Sequence, residues 1–272
     1  MDQTCPTDFI TFAHLLADRA RPVAMQYFRQ DNLHVEQKQA HDPVTIADRS
    51  IEKIWRDLIQ EHYPDHGIWG EEFGRHQNDA EWVWILDPID GTKAFTLGRP
   101  TFGCLIGLYH QTRGFVAGIV DQPVLSWRWV GVQGQGASFT GPQFGTRALK
   151  TQNVTMRDVR VALTNPLRLS AKLKQFRQKL GRDIGYQAYG GDCMNYTGLA
   201  DGGVHAMFDS VQKIYDIAAI IPIIREAGGV ITHLDGSAID FSEDHTIMAA
   251  HTPELHDELL RRYHLFIQQG DV

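Results

Sequence analysis

The chain has 272 residues, of which 43% are hydrophobic and 22% are charged, as is ordinary for a globular protein with a substantial buried core. Its formal net charge of −7 at pH 7 excludes the basic face that a nucleic-acid-binding protein presents. No apolar run approaches the ~20 residues of a membrane span, and the first residues lack the pattern of a secretory signal. Three scattered cysteines predict free thiols in a reducing cytoplasm rather than disulfides.

The first half of the chain is predicted to contain two helices followed by a β-meander. An apolar stripe predicts a helix that begins at Thr7 and that Pro22 kinks or ends. A second helix is predicted from Thr45, where apolar residues recur at intervals of four, three and four. Short apolar runs separated by turn residues then predict strands. These runs span residues 83–86, 101–109, 115–120 and 127–132, and the glycine-rich stretch 133–146 predicts a long loop or hairpin.

Beyond residue 150 short strands and helices alternate, which predicts a second half of α/β type. The predicted strands are 159–163, 204–208, 230–232 and 246–250. The predicted helices are 170–180, 216–227 and a last helix from Pro253. We therefore expect an N-terminal α+β half over residues 1–150 and a C-terminal α/β half over residues 151–272.

The most informative segment is W-I-L-D-P-I-D-G-T, from Trp84 to Thr92. An apolar strand delivers Asp87 at its end, and Pro88 prevents the strand from continuing. Asp90 and Gly91 then turn the chain sharply. Two carboxylates this close repel each other unless a cation lies between them, and magnesium suits oxygen ligands beside a phosphate. Taken alone, the segment is equally compatible with an acidic surface turn.

Two further acidic segments flank this one along the chain. Glu71 and Glu72 follow a short apolar run, although such pairs are usually solvated surface. Asp216 opens a predicted helix, where an aspartate can serve simply as the N-cap. Each of the two segments alone is compatible with a purely structural role.

Together these segments resemble the inositol monophosphatase superfamily, in order and in spacing, over most of the chain. The matching segments are P-V-T-I-A-D (43–48), G-E-E (70–72), D-P-I-D-G-T (87–92), Y-D-I-A-A (215–219) and E-A-G-G (226–229). The resemblance implies an α/β fold built as a layered sandwich with alternating α-β-α-β-α layers. It also implies a homodimer, for which Trp127 and Trp129 would supply an interface unless they pack internally.

Three rival interpretations of the acidic segments do not fit. Phosphatases of the haloacid dehalogenase type separate their two aspartates by one residue, whereas two residues intervene here. An EF-hand needs a glutamate six residues after its glycine, but position 97 is Leu97. A phosphate-binding P-loop motif is absent from the sequence.

The resemblance implies a magnesium-dependent phosphatase that binds two to three ions. The implied metal ligands are Glu71, Asp87, the backbone carbonyl of Ile89, Asp90 and Asp216, with Asp87 shared between two ions. Thr92 and Asp48 are implied to activate the attacking water, and Glu72 to support the site. Read from the residues alone, Thr92 is equally a turn hydroxyl and Asp48 an exposed helix carboxylate.

The implied substrate is a small phosphate monoester. Its expected contacts are Asp90, Gly91, Thr92, Asp192, Asp209 and Asp216. Segments such as R-P-T-F-G-C (99–104) and G-G-D-C (190–193) resemble the histidinol-phosphate phosphatase branch. Carboxylates at Asp192 and Asp209 suit the ammonium group of that substrate, although Asp192 can alternatively cap the following helix.

Several alternatives stay open. An acid at the position of Asp209 is also usual in inositol monophosphatases. The alternative substrates are therefore inositol 1-phosphate and a sugar or nucleotide phosphate. Ala40 and Asp42 replace an aspartate and a serine that many relatives carry, which questions the third ion. The remote alternative, a catalytically inactive binding protein, conflicts with the intact acidic set.

Overall fold

The computed structural model of the chain describes residues 5–30, 33, 35–39, 42–77, 79–242 and 244–269. The helices are α1 (Thr7–Tyr27), α2 (Ile46–His62), α3 (Thr92–Thr96), α4 (Ala171–Leu180), α5 (Cys193–Asp201), α6 (Ile214–Ile217), α7 (Ile220–Ala227) and α8 (Pro253–Gln268). The strands are β1 (Val35–Gln39), β2 (Asp42–Thr45), β3 (Gly67–Gly70), β4 (Gly74–His76), β5 (Trp82–Asp90), β6 (Gly103–His110), β7 (Gly114–Gln122), β8 (Trp127–Val132), β9 (Gly136–Gly141), β10 (Gly145–Leu149), β11 (Arg160–Leu163), β12 (Tyr186–Tyr189), β13 (Ala206–Lys213), β14 (Val230–His233) and β15 (Asp244–Ala250). Among the described residues, no helix combines the length and the apolar character needed to span a membrane.

Two large sheets organise these elements. Eight strands form the first sheet in the order β10-β9-β8-β7-β6-β5-β3-β4, antiparallel throughout except that β3 runs parallel to β5. Five strands form the second sheet in the order β12-β11-β13-β15-β14, in which only β12, β11 and β13 are mutually parallel. Strands β1 and β2 pair separately.

Helices and sheets alternate in five layers. α1 and α2 pack on the outer face of the eight-stranded sheet, and their apolar stripes meet strands β5 to β7. α5, α6 and α7 lie between the two sheets and contact both. α4 and α8 cover the far face of the five-stranded sheet. The layered α-β-α-β-α fold expected from the sequence is therefore confirmed.

Local predictions were partly correct. Helices begin at Thr7 and immediately after Thr45 as expected, and the stretch 133–146 forms the β9–β10 hairpin. Of the two effects expected of Pro22, a kink or an end, the end is wrong, because α1 continues to Tyr27. Pro22 lies on the exposed side of the helix, where water can satisfy the carbonyl that loses its N–H partner.

The predicted helix over 216–227 is in fact two helices. α6 ends at Ile217 and α7 begins at Ile220. In an uninterrupted helix, the ring of Pro222 would clash with the carbonyl group of Ala218. The break instead places Pro222 in the first turn of α7, where a proline is tolerated because the N–H is not needed.

A row of glycines lets the middle helical layer approach the eight-stranded sheet. Gly107, Gly118 and Gly131 are register partners on the adjacent strands β6, β7 and β8. A methyl group at Gly118 would overlap the backbone of Ala219, and one at Gly131 would overlap the backbone of Ile223. The row therefore allows α6 and α7 to pack backbone to backbone against the sheet.

The sequence also predicted a boundary between two halves and a dimer interface at Trp127 and Trp129. The division at residue 150 stays a prediction, although a single apolar core between the sheets includes residues of both halves, such as Val120 and Ile247. Trp129 cannot form a dimer interface, because its side chain is buried and its Nε1 donates to Asp201 at 2.8 Å.

We predict that Gly118→Ala lowers the free energy of unfolding by at least about 1–3 kcal/mol, because the new methyl group has to displace the α7 backbone. Urea denaturation measures the loss. Gly198→Ala is the matched control, since a methyl group there, in α5, makes only an ordinary 3.4 Å contact with Val204. Equal stability of the two variants would contradict the close packing.

Candidate active site

Parallel pairing of β3 and β5 brings the first two acids together. Gly70 at the end of β3 is the register partner of Leu86, and the Glu71 N–H donates to the Leu86 carbonyl at 3.1 Å. Because carboxyl ends of parallel strands lie at the same sheet edge, Glu71 and Asp87 project from neighbouring positions. Their electrostatic interaction is strong enough to raise the pKa of Asp87 further, beyond the effect of burial.

A bulge in β5 turns Asp87 and Asp90 toward the same side. In a regular strand, residues three apart point to opposite faces. Here the register with β6 shifts between Asp87 and Asp90, where Pro88 has no N–H for the ladder. Asp87 accepts the N–H of Ile89 at 3.1 Å, which fixes its carboxylate over the bulge.

The fourth acid, Asp216, comes from the second half of the chain. It lies in the first turn of α6, where one carboxylate oxygen accepts the N–H of Lys213 at 2.8 Å. Asp216 is therefore not the N-cap considered from the sequence, because Lys213 occupies that position, but its carboxylate does accept the N–H of the N-cap residue. Asp216 can also act as a metal ligand, because carboxylate oxygens of Asp87, Asp90 and Asp216 all lie within 4.8 Å of one another.

The cluster is electrostatically costly without a cation. Burial, followed by repulsion from neighbouring carboxylates, raises the pKa of Asp87 and of Asp216 well above the usual value. Burial and the charge of Asp192 raise the pKa of Asp90 to about 8, although the Cys193 N–H bond partly offsets this. Buried carboxylates that disfavour one another in this way fit a hard divalent cation such as magnesium.

Asp48 and Thr92 lie together beside the cluster. Asp48 is in the first turn of α2, where Oδ2 accepts hydrogen bonds from the backbone and hydroxyl of Thr45. Its Oδ1 is 3.4 Å from Thr92 Oγ1, which also lies 3.1 Å from the Ile89 carbonyl oxygen. Asp48 is only 1% exposed, contrary to the exposed-carboxylate alternative, and burial raises its pKa to about 7.

A cleft of about 570 Å³ joins these groups. Its lining residues are Glu71, Asp87, Ile89, Asp90, Gly91, Thr92, Lys93, Thr164, Arg168, Asp192, Gln212 and Asp216. The first seven come from the N-terminal half and the last five from the C-terminal half. The cleft is open to solvent and carries five acidic and two basic side chains.

Asp192 lines this cleft in a strained backbone conformation. Its φ of 42° lies in the left-handed region that non-glycine residues seldom adopt. Asp192 precedes α5 but makes no side-chain capping bond, so the capping alternative is wrong. Asp90 instead accepts the N–H of Cys193 at 2.5 Å, which ties the start of α5 to the end of β5.

Asp209 and Glu72, unlike the predicted metal ligands, do not line the cleft. Asp209 is buried behind the cleft wall, where it accepts the Thr164 hydroxyl at 2.6 Å and the Ser210 N–H at 3.0 Å. Burial raises its pKa to about 6. Neither Asp209 nor Glu72 lines the cleft, so a direct contact between Asp209 and a substrate is not supported.

Sequence reasoning missed Glu52, which shapes the loop after β3. Its fully buried carboxylate accepts the N–H groups of Glu72 at 2.7 Å and Phe73 at 3.1 Å. Arg56, one helical turn further on, completes its hydrogen bonds at 2.7 Å. A glutamate amid apolar residues of an amphipathic helix was the available signal. Two exposed cations of the cleft, Lys93 and Arg168, were also missed.

Comparison with known proteins agrees with this fold and geometry. The family model described as the inositol monophosphatase family matches residues 6–267. The chain is 33% identical to the bifunctional phosphatase IMPL2, chloroplastic, of Arabidopsis thaliana, over 93% of this chain and 74% of that protein. It is 34% identical to the histidinol-phosphatase of Streptomyces coelicolor, over 93% of this chain and 96% of that protein.

A solved structure gives the same result. An inositol monophosphatase from Zymomonas mobilis superposes with a TM-score of 0.83 at 33% identity, covering 94% of this chain and 98% of the other. The fold and the site define a phosphatase of the layered α-β-α-β-α type. The chain belongs to the inositol monophosphatase family.

The raised carboxyl pKa values have a consequence for stability. An unfolded aspartate titrates near about 3.9, whereas the pKa of Asp90 in the folded chain is about 8. Between these values the folded chain binds more protons than the unfolded chain. The contribution of Asp90 to the free energy of unfolding therefore falls as pH rises from about 4 to 8.

We predict that Mg²⁺ stabilises the protein more at pH 8 than at pH 5.5, because at the lower pH it has to displace protons. The apparent Mg²⁺ affinity should rise by about tenfold per pH unit for each proton displaced. The measurement is the Tm with Mg²⁺ minus the Tm with chelator, taken at each pH. The buried histidines His205, His251 and His256 also titrate, but they affect both samples at a given pH equally and so do not change this difference. An Mg²⁺ effect equal at both pH values would contradict the prediction.

Proposed function

We propose that this protein hydrolyses histidinol phosphate in a magnesium-dependent reaction. The observation that carries the proposal is the convergence of Asp87, Asp90 and Asp216 in a small-molecule cleft, with Asp192 on the cleft wall. The first three suit metal ions and the phosphate, and Asp192 suits a cation at the other end of the substrate. Relatives named histidinol-phosphatase support the choice of substrate.

We assign the metal ligands within this cluster. Glu71, Asp87, Asp90, Asp216 and the Ile89 carbonyl would hold two to three Mg²⁺ ions, with Asp87 shared. Bound Mg²⁺ neutralises charge that develops on the phosphoryl oxygens and makes a water molecule more acidic. A third ion would involve the segment that contains Ala40, and Ala40 lies outside the described residues. The proposal therefore relies on two ions.

Thr92 and Asp48 are proposed to remove the proton of the attacking water. The Thr92 hydroxyl accepts a hydrogen bond from water while it donates its own hydrogen to Asp48 Oδ1. The pKa of Asp48, raised to about 7 by burial, makes this carboxylate a base matched to neutral pH. Glu72 and Glu52 act through the backbone of the loop that carries Glu71.

The phosphate is proposed to lie over the turn between β5 and α3. Gly91 and Thr92 line the cleft there, and Gly91 has a φ of 90° that glycine adopts without strain. Its lack of a side chain also leaves room for Asp192, whose carboxylate would lie 3.0 Å from an added methyl group. The backbone N–H groups at this turn are suited to phosphate oxygens.

A second candidate substrate is inositol 1-phosphate. The polar side chains Thr164 and Gln212 line the same wall as Asp192 and suit the hydroxyl groups of a polyol. A relative from Caulobacter vibrioides, 29% identical, is named inositol-1-monophosphatase. A panel of histidinol phosphate, inositol 1-phosphate, fructose 1,6-bisphosphate and adenosine 3′,5′-bisphosphate decides between the candidates.

The proposal extends to the pathway, the cellular location and the oligomeric state of the protein. We infer a role in histidine biosynthesis, a cytoplasmic location and a homodimer. The three cysteines are free and buried, as suits a reducing compartment. The 61% exposed Phe144, whose ring centre is 6.0 Å from that of Trp127, provides an apolar contact for a second copy of the chain.

We predict that chelation abolishes phosphatase activity and that Asp87→Asn reduces kcat by about 10²- to 10³-fold, because the shared carboxylate loses its charge. Steady-state kinetics over a range of Mg²⁺ concentrations measure the loss. The control is Asp57→Asn, which removes an exposed carboxylate from α2. Near-normal turnover of Asp87→Asn would show that the metal assignment is wrong.

We predict that Asp192→Asn lowers kcat/KM for histidinol phosphate about 3- to 30-fold more than for a neutral polyol phosphate, because it loses a charge-assisted hydrogen bond. Asp209→Asn is the matched control. Because Asp209 reaches the cleft only through Thr164 and Gln212, which carry no charge, we expect Asp209→Asn to impair hydrolysis of histidinol phosphate no more than that of the polyol phosphate. If Asp192→Asn slows both substrates equally, Asp192 does not bind the ammonium group.

A further inference from the structure

A second group of potential metal ligands lies outside the cleft. One ligand atom each of His233, Asp240 and His245 lies within 4.8 Å of the others. The two imidazole rings are stacked, with centres 5.2 Å apart and planes inclined by 28°. This group contains two nitrogen ligands and one oxygen ligand, and the catalytic cleft uses none of the three residues.

The group is built by the hairpin of β14 and β15. His233 ends β14, His245 lies near the start of β15, and Asp240 belongs to the connection between them. His245 is buried, His233 is half-buried and Asp240 is exposed. The open side at Asp240 gives an ion access from solvent, whereas the strands hold both imidazoles in place.

Hydrogen bonds prepare two of the three ligands. Nε2 of His245 lies 3.0 Å from the Ser242 carbonyl oxygen, so the neutral ring carries its hydrogen there and its lone pair on Nδ1. Ligand histidines commonly donate their other N–H to a carbonyl in this way. Asp240 uses Oδ1 to accept the N–H and hydroxyl of Ser242, and its Oδ2 can serve as a ligand.

The residue types point to zinc rather than magnesium. Imidazole nitrogen suits zinc and other late transition metals, whereas magnesium takes oxygen ligands. Three protein ligands and one water complete a tetrahedral zinc shell. Zinc bonds of about 2.1 Å require ligand atoms about 3.4 Å apart, and the exposed Asp240 side chain is the ligand with room to adjust to that spacing.

We propose that His233, Asp240 and His245 bind a zinc ion that fastens the edge strand β14 and the connection to β15. Phe241, next to Asp240, stacks on Tyr109 of the eight-stranded sheet with ring centres 4.1 Å apart. It also meets Trp69 edge to face at 5.0 Å. The ion thus stabilises the segment through which the second sheet contacts β3, the strand that precedes Glu71.

Zinc binding to the wild-type protein tests the proposal. With excess Mg²⁺ to occupy the cleft carboxylates, competition with a chromophoric chelator should detect one Zn²⁺ per chain, and Zn²⁺ should raise the Tm. His233→Gln and Asp240→Asn should each weaken this binding by at least about tenfold and abolish the Tm rise. His62→Gln, which removes an exposed histidine on α2, should bind zinc as the wild type does.

Two further variants separate this site from the cleft. Asp87→Asn should keep the zinc affinity, and His233→Gln should keep its Mg²⁺-dependent phosphatase activity, which also shows that it folds. His245→Gln removes the buried ligand and should lose zinc binding as well. The proposal is overturned if the wild type binds no zinc in excess Mg²⁺, or if His233→Gln and Asp240→Asn bind it as tightly as the wild type.

Discussion

Mutual repulsion among closely spaced carboxylates, one buried and two half-buried, is the constraint on which the arrangement of this protein depends. Asp87, Asp90 and Asp216 approach within 4.8 Å, and their raised pKa values show the energetic cost of charging them together. The β5 bulge, the parallel β3–β5 pair and the first turn of α6 each bring an acid to this point. Such a cluster is stable as carboxylates only around cations.

The sequence predicted the parts of the site that are local in the chain. Gly91 marks the turn, because it tolerates a positive φ. The expectation that Pro88 ends the strand was wrong, because β5 bulges there and continues to Asp90. The five-layer order came from the family resemblance, since periodicity does not reveal which helix lies between two sheets. Glu52 and the bond from Cys193 to Asp90 were missed, because partners 20 and 103 residues apart leave no local pattern.

Chemistry and specificity are divided between the two halves of the chain. Most acids of the cluster, together with Thr92 and Asp48, come from the first half, where sheet pairing fixes their positions. The opposite wall of the cleft, to which we assign the rest of the proposed substrate, comes from the second half and includes Asp192 and Arg168. A family can therefore change its substrate on one wall while it keeps the hydrolytic reaction on the other.

The glycine row restricts the motions by which molecules could enter and leave the cleft. α7 rests on the backbone of β7 and β8, and one apolar core is continuous across the middle layer. A rigid-body hinge between the halves would disrupt this core, whereas Lys93 and Arg168 at the rim of the cleft are exposed. Side chains at such a rim reorient in picoseconds to nanoseconds, far faster than the microseconds to milliseconds of domain closure. Close packing at the glycine row therefore disfavours a rigid-body opening of the two halves and leaves the rim side chains as the fast-moving part of the cleft.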